Sequence, residues 1–276
     1  VNGSFVAAEQ ATVSVFDRGF LLGDGVYEVI PVYAGACFKL AAHLARLTNS
    51  LMAVKMANPY SDEEWATLFD TLIKRNGSGD QALYMQVSRG VAPRDHVFPE
   101  GVEPSVFMMS NPLKAMPEQH KEEGIKAVTL VDTRWQRCDI KAISLLPNSL
   151  LKQEAKEAGA DEALLIRNGM MTEGSASNSY AVFDGVIYTA PADHKILPGV
   201  TRAVVLALAR QANITVVEEA VAEARLTEAD ELWVSSSTKE LLAITRLNGH
   251  AVGTGKPGQV WQQIHVLYQQ AKSQDQ

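Results

Sequence analysis

Cysteine is nearly missing from this chain: Cys37 and Cys138 are the only two among 276 residues. Two thiols so far apart supply neither a disulfide framework nor paired metal-ligand spacing, so a reducing, cytoplasmic compartment is the expectation. No apolar run approaches the roughly 20 residues needed to span a bilayer, and residues 1–10 do not form a signal peptide. Excess positive charge is also lacking, with a formal net charge of −7. Nucleic acids and anionic membranes require a basic face, so neither is an expected partner. The six histidines are scattered, without an H-E-x-x-H or a carboxylate grouping, and no metal site is expected. Internal repeats and low-complexity stretches are absent too.

What remains is an ordinary globular composition, 46% apolar and 21% charged. A chain of 276 residues divides more naturally into two lobes than one. Residues 111–117 hold two prolines and no apolar period, which reads as a linker and sets expected lobes of 1–116 and 117–276.

In the first lobe, Val26 to Tyr33 alternates as a strand and places Tyr27 on the same face as Val29. Its phenol either packs in the core or points into a site. His43 to Met56 reads as a helix with Leu44, Leu47, Leu51 and Val54 on one stripe; Arg46 lies at the edge of that stripe, as a solvated arginine or an anion ligand. Ser61 to Glu64 is a capping box that opens a second helix ending near Asn76. Strands are expected at Gln81–Ser88 and Ser105–Ser110. The loop between them carries Arg94 and His96, either as ordinary surface charges or as two donors converging on one anion.

The second lobe is expected to contain a strand at Ile125–Val131, a helix at Leu150–Gly159 and hairpins turning at Asn168-Gly169 and Asp184-Gly185. Pro198-Gly199-Val200-Thr201 opens a helix whose first amides and dipole suit a phosphate, although such turns are also routine helix entries. Glu231 to Val234 is a strand ending in the hydroxyl cluster Ser235 to Thr238.

Between these elements runs the stretch that carries the chemistry. Lys141 stands in an apolar, strand-like context, and Glu173 follows in a Gly/Ser turn just past a paired strand. A lysine amine can bond covalently to the aldehyde of pyridoxal 5'-phosphate (PLP), and a carboxylate can keep the cofactor's pyridine nitrogen protonated. Taken singly, the two residues read equally as a snorkelling lysine and a hairpin acid. Lys152 and Lys156 lie on the polar face of their helix and are poor rivals to Lys141.

The wording around the pair is more specific. Arg137-Cys138-Asp139-Ile140-Lys141, Leu145-Leu146-Pro147-Asn148, Gln153-Glu154-Ala155 and Thr172-Glu173-Gly174-Ser175 together resemble the class IV aminotransferases, the PLP enzymes of fold type IV. Within that family the resemblance is to the D-amino-acid aminotransferases, and it extends from Gly19 to about Gly258. It implies a two-domain fold of α/β and α+β character: an α+β lobe to Met116 and a larger, barrel-like β lobe carrying Lys141.

The activity implied is PLP-dependent transamination between a D-amino acid, such as D-alanine or D-glutamate, and a 2-oxo acid. By the same resemblance, Lys141 is catalytic and Glu173 holds the ring nitrogen. Arg46, Val200, Thr201, Ser236 and Ser237 bind the phosphate, with Ser177 and Leu197 also in the cofactor site. Tyr27, Arg94 and His96 receive the substrate carboxylate, the last two on a loop that reaches a partner subunit, which implies a homodimer. Ser237 stands where relatives often have threonine, Ala176 replaces a common serine, and Ala142 follows the lysine where Ser or Thr is frequent.

An L-branched-chain aminotransferase or an aminodeoxychorismate lyase is the alternative on the same fold, and the Arg94-Asp95-His96 loop speaks against both. A non-catalytic relative is the alternative of a different class. Gly253 to Gly258 spells G-x-G-x-x-G, but no βαβ unit can follow it, so it reads as a turn before a last helix at Gln259–Ala271.

Overall fold

Val26, Glu28, Ile30 and Val32 alternate along β1 (Gly25–Tyr33), and all four are buried. Period-two burial of this kind marks a strand with one face on a core, and in the computed structural model, which describes residues 1–274, that core belongs to the first of two compact units. Short β2 (Ala36–Cys37) turns back on β1, while α2 (Leu40–Ala53) and α3 (Asp62–Arg75) precede β3 (Gln81–Ser88) and β4 (Ser105–Pro112). The sheet is antiparallel, in the order β2-β1-β3-β4. Leu44, Leu47 and Leu51 of α2, with Trp65, Phe69 and Ile73 of α3, meet the buried face in one cluster. Spacings of three and four along each helix make that stripe. Ser61 and Glu64 form the expected capping box, and the one-turn α1 (Arg18–Leu22) leads into β1.

Two boundaries differ from the sequence reading. The stretch expected as a linker begins as the end of β4, which continues through Pro112 because an edge strand tolerates proline. The first unit ends at Lys114, and it also includes Ile140–Leu145, so Lys141 groups with the first unit rather than with the second lobe. The cause is local. Ile140 is part of the first core, Tyr27 N donates to Lys141 O at 2.9 Å, and Ile143 N donates to Gly25 O at 3.1 Å.

The second unit comprises Ala115–Asp139 and Leu146–Gln274. After α4 (Glu118–Glu122) come β5 (Ile125–Val131), α5 (Leu146–Glu157), β6 (Glu162–Arg167), β7 (Met170–Gly174), β8 (Asn178–Phe183) and β9 (Val186–Tyr188). Then follow α6 (Val200–Gln211), β10 (Val216–Val217), β11 (Glu231–Ser236), β12 (Glu240–Leu247), β13 (His250–Ala251) and α7 (Gln259–Gln274). The sheet runs β10-β9-β8-β11-β12-β5-β6-β7, with β13 paired to β12. It curls, because Ser179 Oγ on β8 donates to Thr172 O on β7 and Gly174 N donates to Ser177 O, which brings the β7 edge back beside β8.

Asn168-Gly169 and Asp184-Gly185 both adopt positive φ, as type I' hairpin turns require. Helix α5 starts at Leu146, ahead of the expected Leu150, with Pro147 in its first turn, where the missing N–H has no partner to lose. The G-x-G-x-x-G stretch is the approach to α7, whose Val260 and Trp261 amides both donate to the Glu231 carboxylate at 2.8 Å. Among the described residues, no helix is long and apolar enough to cross a membrane, and no His/Cys/Asp/Glu group could hold a metal ion.

The one charge on the buried face of β1 is Glu28, 1% exposed, and α2 supplies its partners. Arg46 Nε lies 2.8 Å from Glu28 Oε1 and Nη2 lies 2.7 Å from Oε2, while His43 Nδ1 is 2.8 Å from Oε2. His43 and Arg46 are three apart and share a helix face. Burial alone would push the Glu28 carboxyl up, but the Arg46 guanidinium and then His43 hold it at about 2, below its ordinary 4.5. A depressed carboxyl stabilises the fold above the ordinary value, and that stability is lost as pH falls through about 2. Glu28→Gln leaves a buried guanidinium uncompensated and is expected to lower the unfolding free energy by about 3–5 kcal/mol at pH 7. Urea titrations should show the gap to wild type narrowing as pH is taken from 7 towards 3; coincident midpoints at pH 7 contradict this account.

Candidate active site

The expected site residues divide between the units: Tyr27, Arg46, Arg94, His96 and Lys141 fall in the first, and the other seven in the second. Lys141 follows Ile140 out of the first core. Its N–H donates to Ser50 Oγ on α2 at 3.2 Å, its carbonyl accepts from Tyr27 N, and one isolated bridge joins Ala142 to Val26. No strand continues, because Ile143 N turns back to Gly25 O and Leu145 N to Ile143 O. The lysine expected in an apolar, strand-like context is therefore half-buried on a short extended segment. Its Nζ lies 4.1 Å from the centroid of the Tyr27 ring, a cation–π contact that fixes the amine against the phenol. Tyr27 is half-buried, with its ring beside Lys141. Tyr84 backs the ring at 5.7 Å and donates its own hydroxyl to Gln86 Oε1. Burial, and next the neighbouring Tyr27, push the Tyr84 phenol up to about 12, so it remains a neutral donor.

Arg46 is buried rather than solvated, and two of its three nitrogens meet Glu28. Arg94 and His96 are exposed on the loop between β3 and β4. The contacts within the first unit thus join Lys141 to Tyr27 and Arg46 to Glu28 and His43, and leave Arg94 and His96 outside both groups.

In the second unit the centre is Glu173, 3% exposed. The sequence placed it just past a strand, but it lies within β7 at a bulge. Leu164 pairs with Gly174 and Ile166 with Met171, so Thr172 and Glu173 together oppose Leu165. A bulge re-aims side chains, and here two consecutive residues turn inward. Glu173 Oε1 accepts from Arg134 Nη1 at 2.5 Å; Oε2 accepts from Asn178 Nδ2 at 3.0 Å and Leu197 N at 3.1 Å. Arg134 is itself gripped by Asp132 at 2.9 and 3.0 Å, and Asp132 also takes Arg167 at 2.9 Å and Thr172 Oγ1 at 3.3 Å. Burial pushes the Glu173 carboxyl up to about 7 in spite of Arg134. Its ionised form is thus ready to gain from one more positive partner.

Asn178 connects this carboxylate to the start of α6. Its Nδ2 donates to Leu197 O as well as to Glu173, and Gly199, the N-cap of α6, packs so closely that a Cβ there would lie 2.0 Å from Asn178 Oδ1. Gly199 brings no side-chain cap, so the first turn at Val200 and Thr201, both buried, presents amides and a helix dipole in the form that suits an anion. α6 packs on β11, whose end carries Ser236; that hydroxyl accepts from Lys239 N, and Ser237 follows it, half-buried. Ser177 Oγ donates to Glu162 Oε2 at 3.3 Å. Glu162 also pairs with Lys152, which commits that lysine elsewhere.

Sequence reading missed Glu28, Asp132, Arg134 and the role of Asn178. Glu28 was legible, since alternation puts it with Val26 and Ile30 on the buried face, where a carboxylate demands a partner. Asp132 and Arg134 gave only the signal of a local pair two residues apart. Nothing in the sequence indicated that Arg134 would bridge to Glu173.

Comparison with known proteins bears on this arrangement. A family model described as Amino-transferase class IV matches residues 25–247. The D-alanine aminotransferase of Bacillus licheniformis is 40% identical over 97% of this chain and 94% of its own length; that of Staphylococcus aureus is 41% identical over 96% and 94%. Among solved structures, the branched-chain amino acid aminotransferase of Escherichia coli superposes with a TM-score of 0.93 at 26% identity, covering 98% of this chain and 92% of that one. The branched-chain aminotransferase of the thermophilic archaeon Thermoproteus uzoniensis, with norvaline, gives 0.87 at 26% identity over 98% and 92%. A model matching most of the chain, full-length relatives at this identity and solved structures that share the fold agree: the chain belongs to the class IV aminotransferases.

Proposed function

We propose that this chain is a PLP-dependent transaminase that moves an amino group between a D-amino acid, D-alanine or D-glutamate among them, and a 2-oxo acid. The observation that carries this reading is the 40–41% identity to D-alanine aminotransferases over nearly the whole chain, against 26% to the branched-chain enzymes. Lys141 and Glu173, both present with built surroundings, speak against a non-catalytic relative.

The residues fit the cofactor. Glu173 is a buried carboxylate held in place by three donors, and a protonated ring nitrogen held there would offset the burial that pushes it to about 7. The amides of Val200 and Thr201 with the hydroxyls of Ser236 and Ser237 suit a phosphate. Arg46, assigned to the phosphate by the family resemblance, shares its guanidinium with Glu28 within its own unit. Leu197 contributes its N–H to Glu173, and Ser177 lies on the turn between β7 and β8. Bound PLP supplies a ring that accepts the electron pair left when the proton departs from the substrate Cα. Lys141 would hold the cofactor through Nζ and would serve as the base and acid that takes up and returns the proton of the substrate Cα. Tyr27, Arg94 and His96 orient the substrate carboxylate.

The active species in this reading is a homodimer in the cytoplasm. The loop with Arg94 and His96 is exposed, as are Phe16, Phe20, Val97 and Phe98, and apolar exposure around a functional loop is what a second copy would cover. The two free thiols suit a reducing compartment.

Borohydride reduction followed by peptide mass spectrometry is expected to find PLP fixed on Lys141. Lys141→Ala should lose both that adduct and transamination, and an adduct on Lys152 would sink the assignment. Sedimentation of the active enzyme should give a dimer; full activity in a monomer refutes the shared-loop reading.

A further inference from the structure

Asp24, between α1 and β1, lies between two buried guanidinium groups. Arg18 Nε and Arg89 Nε are each 2.8 Å from Asp24 Oδ2, and Arg89 Nη2 is 3.0 Å from Oδ1. Arg18 and Arg89 are 2% and 6% exposed, deep enough for the pairing to escape most solvent screening. Backbone bonds lock the same place, from Arg89 N to Asp24 O and from Arg18 N to Gly90 O. Gly90 has φ +100°, and a Cβ there would lie 2.1 Å from Glu103 O, so the two ends of the β3–β4 loop close on a position that only glycine fits.

Each arginine reaches beyond Asp24. Arg89 donates to the carbonyls of Val54 and Lys55 at the end of α2, and its guanidinium lies 3.6 Å from the Phe98 ring centroid. Arg18 Nη1 donates to the carbonyls of Asp95, at 2.6 Å, and Val97, at 3.4 Å. Those two carbonyls alternate in the chain with the residues assigned to substrate, Arg94 and His96. The loop adds an internal bond, Val97 N to Asp95 Oδ1 at 3.3 Å. Its tip is therefore held by a buried arginine through backbone carbonyls.

We infer that Arg18, anchored on Asp24, is a positioning residue for substrate recognition, holding the Arg94-Asp95-His96 tip in the shape that receives a carboxylate. The inference rests on the assignment of Arg94 and His96 to that carboxylate. An arginine is suited to this work because its fixed fork serves a carboxylate through one nitrogen and two carbonyls through another. A lysine has a single nitrogen and cannot span both. A preformed loop spares the ordering that binding would otherwise impose, so losing the support should weaken substrate capture and leave the chemical step in place.

A double-mutant cycle on the holoenzyme tests this, with KM and kcat measured for D-alanine and 2-oxoglutarate. Arg18→Met is expected to raise both KM values about tenfold with kcat within about twofold, and Arg18→Lys to recover part of the loss. In an Arg94→Ala/His96→Ala background the same Arg18→Met change should add less than about twofold, because the side chains it positions are gone. Unchanged KM in Arg18→Met, or an equal rise in both backgrounds, overturns the inference and leaves Arg18 as general scaffold. If Arg94→Ala/His96→Ala alone leaves KM unaltered, the carboxylate assignment of the loop has failed and this inference falls with it. Raised KM there, with none in Arg18→Met, refutes only the positioning role. Should Arg18→Met not fold, Arg18→Lys and Asp24→Asn take its place in the cycle, and the same outcomes support or overturn the positioning role.

Discussion

A carboxylate buried in an apolar interior must find a cation, and this requirement shapes both units. Glu28 binds Arg46, Asp24 binds Arg18 and Arg89, and Glu173 and Asp132 share Arg134. In each case the pair joins elements that apolar packing alone would leave less defined: β1 to α2, the β3–β4 loop to the start of β1, and β7 to the segment after β5. Burial of this kind gains little net stability over apolar packing, but breaking one partner is expensive. Its effect is geometric, since a forked guanidinium facing a carboxylate allows few arrangements.

The same constraint prepares chemistry. Glu173 is held at three points yet pushed up to about 7, a carboxylate whose charge is incompletely compensated by its own surroundings. Glu28 is the reverse, held near 2 by Arg46 and His43 and committed to its charge at any ordinary pH. Environment therefore separates two buried acids into one suited to a cationic ligand and one that serves the fold. Asn178 adds the link between the acid and a helix start built around glycine, so the positions proposed for a ring and for a phosphate are tied together within the second unit.

Much of this was legible in the sequence. The strands at Gln81–Ser88 and Ile125–Val131 and the capping box at Ser61 follow from local pattern, because each is decided by its own residues. The grouping of Lys141 with the first unit was not, since it depends on Ile140 entering a core assembled from residues far earlier in the chain. Nor was the bulge at Glu173 foreseeable, because a register shift is a property of two strands together. Arg18 and Arg134 went unremarked for a related reason: an arginine near an acid is ordinary in any sequence, and only burial makes the pair informative.

The central claim is that this family member acts on D-amino acids. The bond broken at Cα must face the lysine that moves the proton, so the side on which the carboxylate is anchored fixes the enantiomer accepted. Initial rates with D-alanine, L-leucine and L-valine as amino donors to 2-oxoglutarate, and with D-glutamate as donor to pyruvate, test this most directly. The account predicts higher kcat/KM for the D-amino acids. Faster turnover of L-leucine or L-valine than of either D-amino acid would contradict it and assign the chain to the branched-chain branch of the family.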